Sequence, residues 1–484
     1  MISFILSVSW MYTGTGHSKI GGVKMLTKTL LKDVLQVKDV IIEDGDLSSD
    51  INQVATLKLQ VRPSKAVANR CPICGKKCPG YDTPHPERKK WRHLDFGGVI
   101  VILESATHRI SCPDHGVVTA SVPWAAHDCS FTYAFDSTVA WMATKLNRTA
   151  VAEYMRIDWK TVGRCVHRVR ERIEPDISVR FDGLRLIGID ETSYQKGHKY
   201  ITVIINHETN TVVWAAKGHG KEVLKQFFDA LTPEQRSVIK VVTADGAKWI
   251  TECVEEYCPN ATRCVDSFHV VEWINKALDD MRLALCREAQ SKLKKLKKEH
   301  PQKPGRPKTN DEDAAMLAEA RGKVSDLKNL KYPLGKAPEN LTELQQLRLE
   351  RVAALDPRLY RAYVRKEELR RILHMTDVDA AEKGLKDWLW WASHSRIPEF
   401  IELGKKIRRH RPHILNTIAM QVSNARVEAI NNIIKLIIRR AFGFQNVENM
   451  ISLVLLVCSN LTIPLPNRAP QKEKKANKAQ TEAA

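Results

Sequence analysis

The pattern of apolar and polar residues predicts an α/β domain in the middle of the chain. Four short runs rich in isoleucine and valine, at residues 184–190, 199–205, 211–215 and 239–243, have the length and composition of strands. Turns separate the first three runs, and the helical stretch 221–231 precedes the fourth. Three strands, a helix, a further strand and more helix are the order expected of an α/β domain.

The flanking regions follow other patterns. Alternating apolar residues, Leu57, Leu59 and Val61 among them, predict short strands before residue 70, and the period becomes helical after residue 136. From residue 270 to about 415 the chain is almost wholly helical and highly charged, which predicts a helical insertion. The tail 467–484 has no apolar periodicity, so we expect it to be disordered.

An excess of basic residues indicates a polyanionic partner. The 484 residues include 76 Lys+Arg and 56 Asp+Glu, which gives a formal net charge of +20 and favours nucleic acid. The longest apolar runs, residues 2–11 and 451–458, fall short of the roughly 20 residues that a membrane-spanning helix needs. We therefore expect no membrane association. At about 150 residues per domain, a length of 484 residues predicts about three domains.

The N-terminus and the cysteines both favour a cytoplasmic protein. Residues 1–10 lack the basic region and cleavage site of a secretory signal, and we interpret residues 1–24 as an extension before a start at Met25. Most of the 11 cysteines stand singly, which is typical of proteins in a reducing cytoplasm. A protein of this charge is expected to be associated with the nucleoid there.

Two similar knuckles predict a structural zinc site. RCPICG and CPDHG each place two zinc-type ligands three positions apart before a glycine. They supply the side chains of Cys71, Cys74, Cys112 and His115. Tetrahedral Zn²⁺ needs four such ligands from two turns, and the alternating segment 99–110 is predicted to be a strand that brings the knuckles together. The alternatives are ordinary thiols, or a ligand set that includes Cys78.

Residues 147–173 have the pattern of a helix-turn-helix. The first predicted helix covers residues 147–155, and Asp158 is the predicted N-cap of the second, at residues 159–173. The apolar stripe of the second helix is Val162, Cys165, Val166, Val169 and Ile173. The opposite face is predicted to carry basic residues for the DNA major groove: Lys160, Arg164, Arg168, Arg170 and Arg172. A solvated basic helix in a bundle is the alternative.

Two carboxylates at the ends of predicted strands are candidate metal ligands. Asp190 closes the first run of the α/β domain, and Asp245 closes a later run. Two strands and a helix fit between them, which is enough for the chain to return beside its start. Carboxylate oxygens suit Mg²⁺, and two such ions can flank a scissile phosphate. The alternative for either residue alone is a turn cap.

A third acid is expected from a later helix. Glu428 lies in a helical segment that also carries cations at Lys435, Arg439 and Arg440. Glu448 and Glu402 are the alternatives. Asp266 and His269 follow a predicted strand at residues 261–265 and are candidates for lining the same site. The alternative for this pair is a helix N-cap followed by a buried aromatic residue.

Several motifs resemble those of the DDE transposases of the ISL-three (ISL3) insertion-sequence family. They are GIDETSYQKGHKYITV, DSFHVVEWINKALDDMR and SNARVEAINNIIKLIIRRAFGFQNVENMISLVLLVCSN. The resemblance covers residues 31–461 and includes both cysteine knuckles, WRHLDFG and VPWAAH. The departures, Ser267 and Ile433-Ile434, leave the three acids unaffected.

The resemblance implies a multidomain architecture. An N-terminal zinc-binding and helix-turn-helix region precedes an α/β ribonuclease H-like catalytic core, which an α-helical insertion interrupts. The expected boundaries follow in chain order: 1–24 extension, 25–130 zinc-binding domain, 131–178 helix-turn-helix domain, 179–270 first part of the core, 271–415 insertion, 416–462 second part of the core with the glutamate helix, and 463–484 tail.

The resemblance also implies the activity and the roles of the candidate residues. The three acids Asp190, Asp245 and Glu428 would bind Mg²⁺ or Mn²⁺, while Asp266 and His269 would support the site. A homo-oligomer would bind double-stranded DNA at the terminal inverted repeats, cleave there and transfer strands into target DNA. A ribonuclease H-like resolvase or nuclease and a non-catalytic DNA-binding regulator are the alternatives.

Overall fold

The computed structural model describes residues 28, 31–33, 35–49, 54–300, 312–422 and 425–468. The N-terminal extension 1–24 lies outside the described residues, as does residue 469 onward of the predicted disordered tail. None of the described helices is both long enough and apolar enough to span a bilayer. The chain divides into two compact units. Residues up to Pro175 and from Gln445 onward form the N-terminal unit, and Asp176–Phe444 form the central unit.

The N-terminal unit begins with a four-stranded sheet. Its strands are β1 (Val40–Ser49), β2 (Ala55–Pro63), β3 (Lys89–Arg92) and β4 (Ile100–Ser105), in the order β1-β2-β4-β3. The pair β2 and β4 is parallel, and the other two pairs are antiparallel. Leu59 and Val61 are buried, as the alternation predicts, and Trp91 packs edge-on against Trp124 with ring centroids 5.5 Å apart.

The segment 99–110 is two strands, so the prediction of one strand is wrong. β4 ends at Ser105 and pairs with β2 and β3, whereas β5 (Arg109–Cys112) pairs with β6 (Gly116–Thr119) in a separate hairpin. A bridge between Gly80 and Ile110 joins this hairpin to the chain after the first knuckle. The break therefore takes the second knuckle out of the sheet and places it beside the first.

Three helices follow the cysteine-rich segment. They are α1 (Tyr133–Lys145), α2 (Arg148–Met155) and α3 (Trp159–Ile173). Asp158 caps α3 by accepting from the backbone N–H of Lys160 at 2.8 Å, as predicted. The motif WRHLDFG links this region to the sheet, since Asp95 accepts hydrogen bonds from both Arg92 and Arg156.

A helix from the end of the chain completes the N-terminal unit. This C-terminal helix, Val447–Cys458, packs against α3. Gly163 of α3 has no room for a side chain, because an added Cβ would lie 2.5 Å from the amide nitrogen of Asn449. One turn later, His167 Nδ1 lies 3.0 Å from the hydroxyl of Ser452. Residues 416–462 are expected together in the core, whereas the structure divides this range between the two units.

The central unit is built on a five-stranded sheet. Its strands are β7 (Leu186–Gln195), β8 (Lys199–Asn206), β9 (Thr211–Lys217), β10 (Val241–Ala244) and β11 (Thr262–Val265). The order is β11-β10-β7-β8-β9. β7, β8 and β9 are antiparallel neighbours, while β10 runs parallel to both β7 and β11. The helices beside this sheet are α4 (Lys221–Asp229), α5 (Pro233–Val238) and α6 (Lys248–Tyr257).

Helices, most of them long, fill the rest of the central unit, as the sequence pattern predicts. They are α7 (Ser267–Glu299), α8 (Glu312–Asn329), α9 (Lys331–Gly335), α10 (Glu343–Leu355), α11 (Pro357–Leu373), α12 (Val378–His394), α13 (Pro398–Met420) and α14 (Ala425–Arg440). One hydrophobic cluster, which includes Trp388 and Phe400, joins α7 to α13. On β11 this cluster begins at Val265, so the helices are anchored directly to the sheet.

Candidate active site and nucleic-acid interface

Asp190 and Asp245 lie side by side at one edge of the central sheet. β10 pairs in parallel with β7, and its last paired residue, Thr243, stands opposite Gly188. Asp190 follows Gly188 by two positions, and Asp245 follows Thr243 by two. Both aspartates line one cavity of ≈ 500 Å³. The prediction that Asp190 closes its strand is wrong, because the β7–β8 hairpin continues to Gln195. Asp190 instead lies where the neighbouring strand β10 stops.

Asp190 is surrounded by hydrogen-bond donors. Burial raises the pKa of its carboxyl, while the backbone N–H of Glu191, at 2.8 Å, and the side-chain amide of Asn431 favour the ionised form. Asn431 lies on α14, so this contact fixes α14 against β7. A second contact, 3.4 Å long, runs from the hydroxyl of Thr192 to the side-chain oxygen of Asn431.

A buried arginine holds the backbone of Asp245. The guanidinium of Arg263 on β11 donates to the carbonyl of Asp245 and to those of neighbouring residues of β10 and β11. Burial lowers the pKa of Arg263 to about 10. The carboxylate of Asp245 accepts from the N–H of Ala247 at 2.9 Å. Arg263 therefore joins the ends of the two strands at the cavity.

His269 lines the cavity and Asp266 orients it. Asp266 is the N-cap of α7, and its second carboxylate oxygen lies 3.0 Å from Nδ1 of His269. Burial acts to lower the pKa of His269, but the carboxylates of Asp266, Asp190 and Asp245 raise it overall. The N-cap alternative is thus correct for Asp266, whereas the aromatic residue after it, Phe268, is 54% exposed and not buried.

Glu428 lies on the helix that contacts Asp190, but it does not line the cavity. It is exposed on α14, one helical turn before Asn431. Of the alternatives, Glu402 pairs with Lys405 on α13 at 2.7 Å, and Glu448 belongs to the N-terminal unit. The structure therefore brings together Asp190, Asp245 and His269, with Glu428 on the adjoining helix.

Further residues of the cavity were not predicted from the sequence. Besides the two aspartates and His269, the lining consists of Glu191, His198, Tyr200 and His219. Glu191 accepts from the N–H of Gly220 at 2.9 Å, and Tyr200 packs edge-on against His219 with centroids 5.0 Å apart. Asn431, which donates to Asp190, was also not predicted. The sequence feature that could have indicated it is the polar pair Asn431-Asn432 within an apolar helical run.

The basic residues of α3 do not share one exposed face. Lys160 and Arg164 are exposed, as predicted, but the prediction is wrong for the other three. Arg168 forms a two-pronged ion pair with Asp136 of α1, with N···O distances of 2.8 and 2.6 Å. Arg172 donates to the hydroxyl of Ser137 at 2.6 Å, and the side chain of Arg170 is only 20% exposed. The packing of α1 against α3 turns Arg168 and Arg172 inward.

Replacing Arg168 with alanine is expected to destabilise the N-terminal unit by about 3–5 kcal/mol, because the buried carboxylate of Asp136 loses its partner. Arg164→Ala is the matched control, since Arg164 is exposed one turn earlier on the same helix. It should change stability by less than about 0.5 kcal/mol and lower the affinity for DNA. Denaturant unfolding and DNA titrations measure the two effects, and equal stability of the variants would contradict this role of Arg168.

The cysteine knuckles bring four potential ligands together. The ligand atoms of Cys71, Cys74, Cys112 and His115 all lie within 4.8 Å of one another. The sulfur atoms of Cys74 and Cys112 are 3.7 Å apart, close to the edge of about 3.8 Å that a tetrahedron with 2.3 Å zinc–sulfur bonds has. Nδ1 of His115 lies 3.7 Å from the sulfur of Cys71 and 3.6 Å from that of Cys112. Cys78 is buried outside this group, and its thiol donates to the carbonyl of Lys76.

Comparisons with known proteins agree with these features. A family model described as a transposase matches residues 187–454, and a model of the helix-turn-helix domain of transposase family ISL3 matches residues 120–170. The transposase for insertion sequence element IS1557 of Mycobacterium tuberculosis is 42% identical over 433 residues, 89% of this chain and 94% of that protein. The transposase for insertion sequence element IS1001 of Bordetella parapertussis is 24% identical over 398 residues, 81% of this chain and 89% of that protein. The chain therefore belongs to the ISL3 family of insertion-sequence transposases.

Proposed function

We propose that this transposase binds the terminal inverted repeats of its element, cleaves DNA there and transfers the freed strands to target DNA, using divalent metal ions. One observation carries the proposal. Asp190 and Asp245, 55 positions apart in the sequence, meet in one cavity because β7 and β10 are parallel neighbours. Neighbouring carboxylates of this kind are suited to metal-assisted phosphoryl transfer.

The sheet topology supports a ribonuclease H-like core. Three antiparallel strands are extended by two parallel ones, and the central strand β7 carries Asp190. The helices α7 to α13 lie between β11 and α14 in the sequence, as expected of an insertion. The helix α14 then returns to β7 through Asn431. We assign residues 416–444 to the core on this basis.

The donor set fits Mg²⁺ or Mn²⁺. All three acids, Asp190, Asp245 and the proposed third ligand Glu428, offer hard oxygen atoms. Burial raises the pKa of Asp190, and a bound cation would favour its ionised form. Bound metal ions would supply an activated water or 3′-hydroxyl and stabilise the leaving oxygen. Asn431 orients Asp190, and Asp266 orients His269 at the cavity wall.

The N-terminal unit supplies DNA recognition in this proposal. The exposed residues Lys160 and Arg164 at the start of α3 contact DNA, while Arg168 and Arg172 hold α3 against α1. A structural Zn²⁺ on Cys71, Cys74, Cys112 and His115 fixes the adjoining hairpin. Because two ends must be cut and joined together, the active species is a homo-oligomer.

The test uses a plasmid that carries both ends of the element. Wild-type protein with Mg²⁺ should nick the repeat ends and join them to target DNA, and sequencing maps the products. Glu428→Gln should lose both reactions, because it removes one metal-binding charge. Glu402→Gln is the matched control, since Glu402 is an exposed glutamate of the same unit that pairs with Lys405.

A third variant, Glu191→Gln, identifies the third metal ligand. Glu191 lines the cavity, whereas Glu428 does not. If Glu428→Gln keeps full activity and Glu191→Gln loses cleavage and joining, the third metal ligand is Glu191 and not Glu428. Binding of the ends without any cutting would contradict the proposed function and indicate a regulator. Cutting of branched DNA without the repeats would indicate a nuclease.

A further inference from the structure

A basic surface begins next to the catalytic cavity. On α7, Trp273 and Lys276 follow His269 by four and seven positions, so the three residues share one face of the helix. His269 lines the cavity. Lys276 lies about 10 Å further along the helix axis. This face therefore leads from the cavity to the exposed surface of the helical insertion.

Trp273 packs against the backbone that follows Asp245. An added Cβ at Gly246 would lie 2.6 Å from two ring carbons of Trp273, so only glycine allows this approach. The ammonium group of Lys406 on α13 lies 3.8 Å from the centroid of the same ring. The indole thus seats Lys406 beside the turn that presents Asp245, as expected of a cation–π contact.

Two more cations lie around Lys406. Burial lowers the pKa of Lys406, with further lowering from Lys276 and Arg409, while Asp245 and Glu272 oppose it. Arg409 follows Lys406 by one turn on α13. Lys276, Lys406 and Arg409 are all exposed, and within the described parts of the chain none of them forms an ion pair. The three unpaired cations outnumber the two acids beside Lys406, Asp245 and Glu272, so the surface is positive.

We propose that Lys276, Lys406 and Arg409 bind the phosphate backbone of DNA beside the catalytic cavity, with Lys406 contacting phosphates next to the scissile bond. This inference rests on the proposed function, because it takes the cavity as the place of cleavage. The distance of about 10 Å from His269 to Lys276 spans about three nucleotide steps of one strand. The surface therefore suits a strand that passes through the cavity.

The test measures how binding depends on salt. Without divalent metal, each variant is titrated with two duplexes: one stops within the terminal repeat, and the other continues through the cleavage point into flanking DNA. On the longer duplex, Lys406→Ala and Arg409→Ala should each reduce the slope of log K against log salt by about 0.9. Lys405→Ala is the matched control, because Lys405 is the adjacent residue and pairs with Glu402.

The shorter duplex checks folding, and all variants should bind it with the wild-type slope. A second outcome is that each variant has the wild-type slope on both duplexes, while joining to a target plasmid is more salt-sensitive in Lys406→Ala than in Lys405→Ala. The bound phosphates are then those of the target DNA. Identical behaviour of these two variants in every arm would overturn the proposal. If the variants show the expected reductions in slope but the wild-type protein never cleaves DNA, only the proposed function is contradicted.

Discussion

Replacing Asp190 with asparagine is expected to lower the rate of strand cleavage at the element's ends at least about a thousandfold. The substitution keeps the shape of the side chain and removes its charge. An asparagine can still meet the amide of Asn431, so the contact between β7 and α14 is retained. Single-turnover nicking with Mg²⁺ measures the rate, and affinity for the terminal repeats should not change.

Asp280→Asn is the matched control for this variant. Asp280 is exposed on α7 and does not line the cavity, so the same chemical change there should leave cleavage at the wild-type rate. Calorimetric titration with Mn²⁺ provides a readout without DNA, and the Asp190 variant should bind the ion more weakly. A variant that retains a tenth or more of the wild-type rate would exclude Asp190 as a metal ligand.

Replacing Cys112 with serine is expected to remove one zinc ion per chain and unfold the region around both knuckles. Structural zinc contributes about 10–16 kcal/mol to the folding of small zinc domains, which is as large as the whole stability of a typical domain, about 5–15 kcal/mol. The two-stranded sheet of β5 and β6 offers few apolar contacts to replace it. Metal analysis, limited proteolysis and DNA titration measure the loss of zinc, of structure and of binding.

Cys78→Ser gives the control for the zinc site. Cys78 is buried near the knuckles, and a serine hydroxyl can donate to the carbonyl of Lys76 as the thiol does. This variant should keep its zinc and its affinity for DNA. If Cys78→Ser loses the ion while Cys112→Ser retains it, the set of four ligands is wrong.

The strands and the two aspartates were predictable because short apolar runs mark buried strands and the residues at their limits. The position of Asp190 within β7 was not, since the length of a hairpin depends on its partner strand. The contact of Asn431 with Asp190 was missed for a similar reason, as it joins residues 241 positions apart. The apolar periodicity of a segment does not show which distant residue its side chains contact.

The face of α3 shows the same limit. Its basic residues follow a helical period, which predicts a face for DNA. The period does not show that the buried carboxylate of Asp136, on another helix, forms an ion pair with one of these residues, Arg168. The proximity of the four candidate zinc ligands was easier to predict, because each pair lies within a single turn and tetrahedral zinc requires two such pairs.

The packing of the C-terminal helix on α3 has a consequence for damaged copies of the gene. The residues joined by the contact between His167 and Ser452 are 285 positions apart. A premature stop codon anywhere in that interval yields a protein whose α3 lacks its apolar cover. Such a fragment is expected to expose the apolar face of this helix to water, which favours proteolysis and aggregation. We therefore expect truncated copies to lose the fold of the helix-turn-helix region together with catalysis.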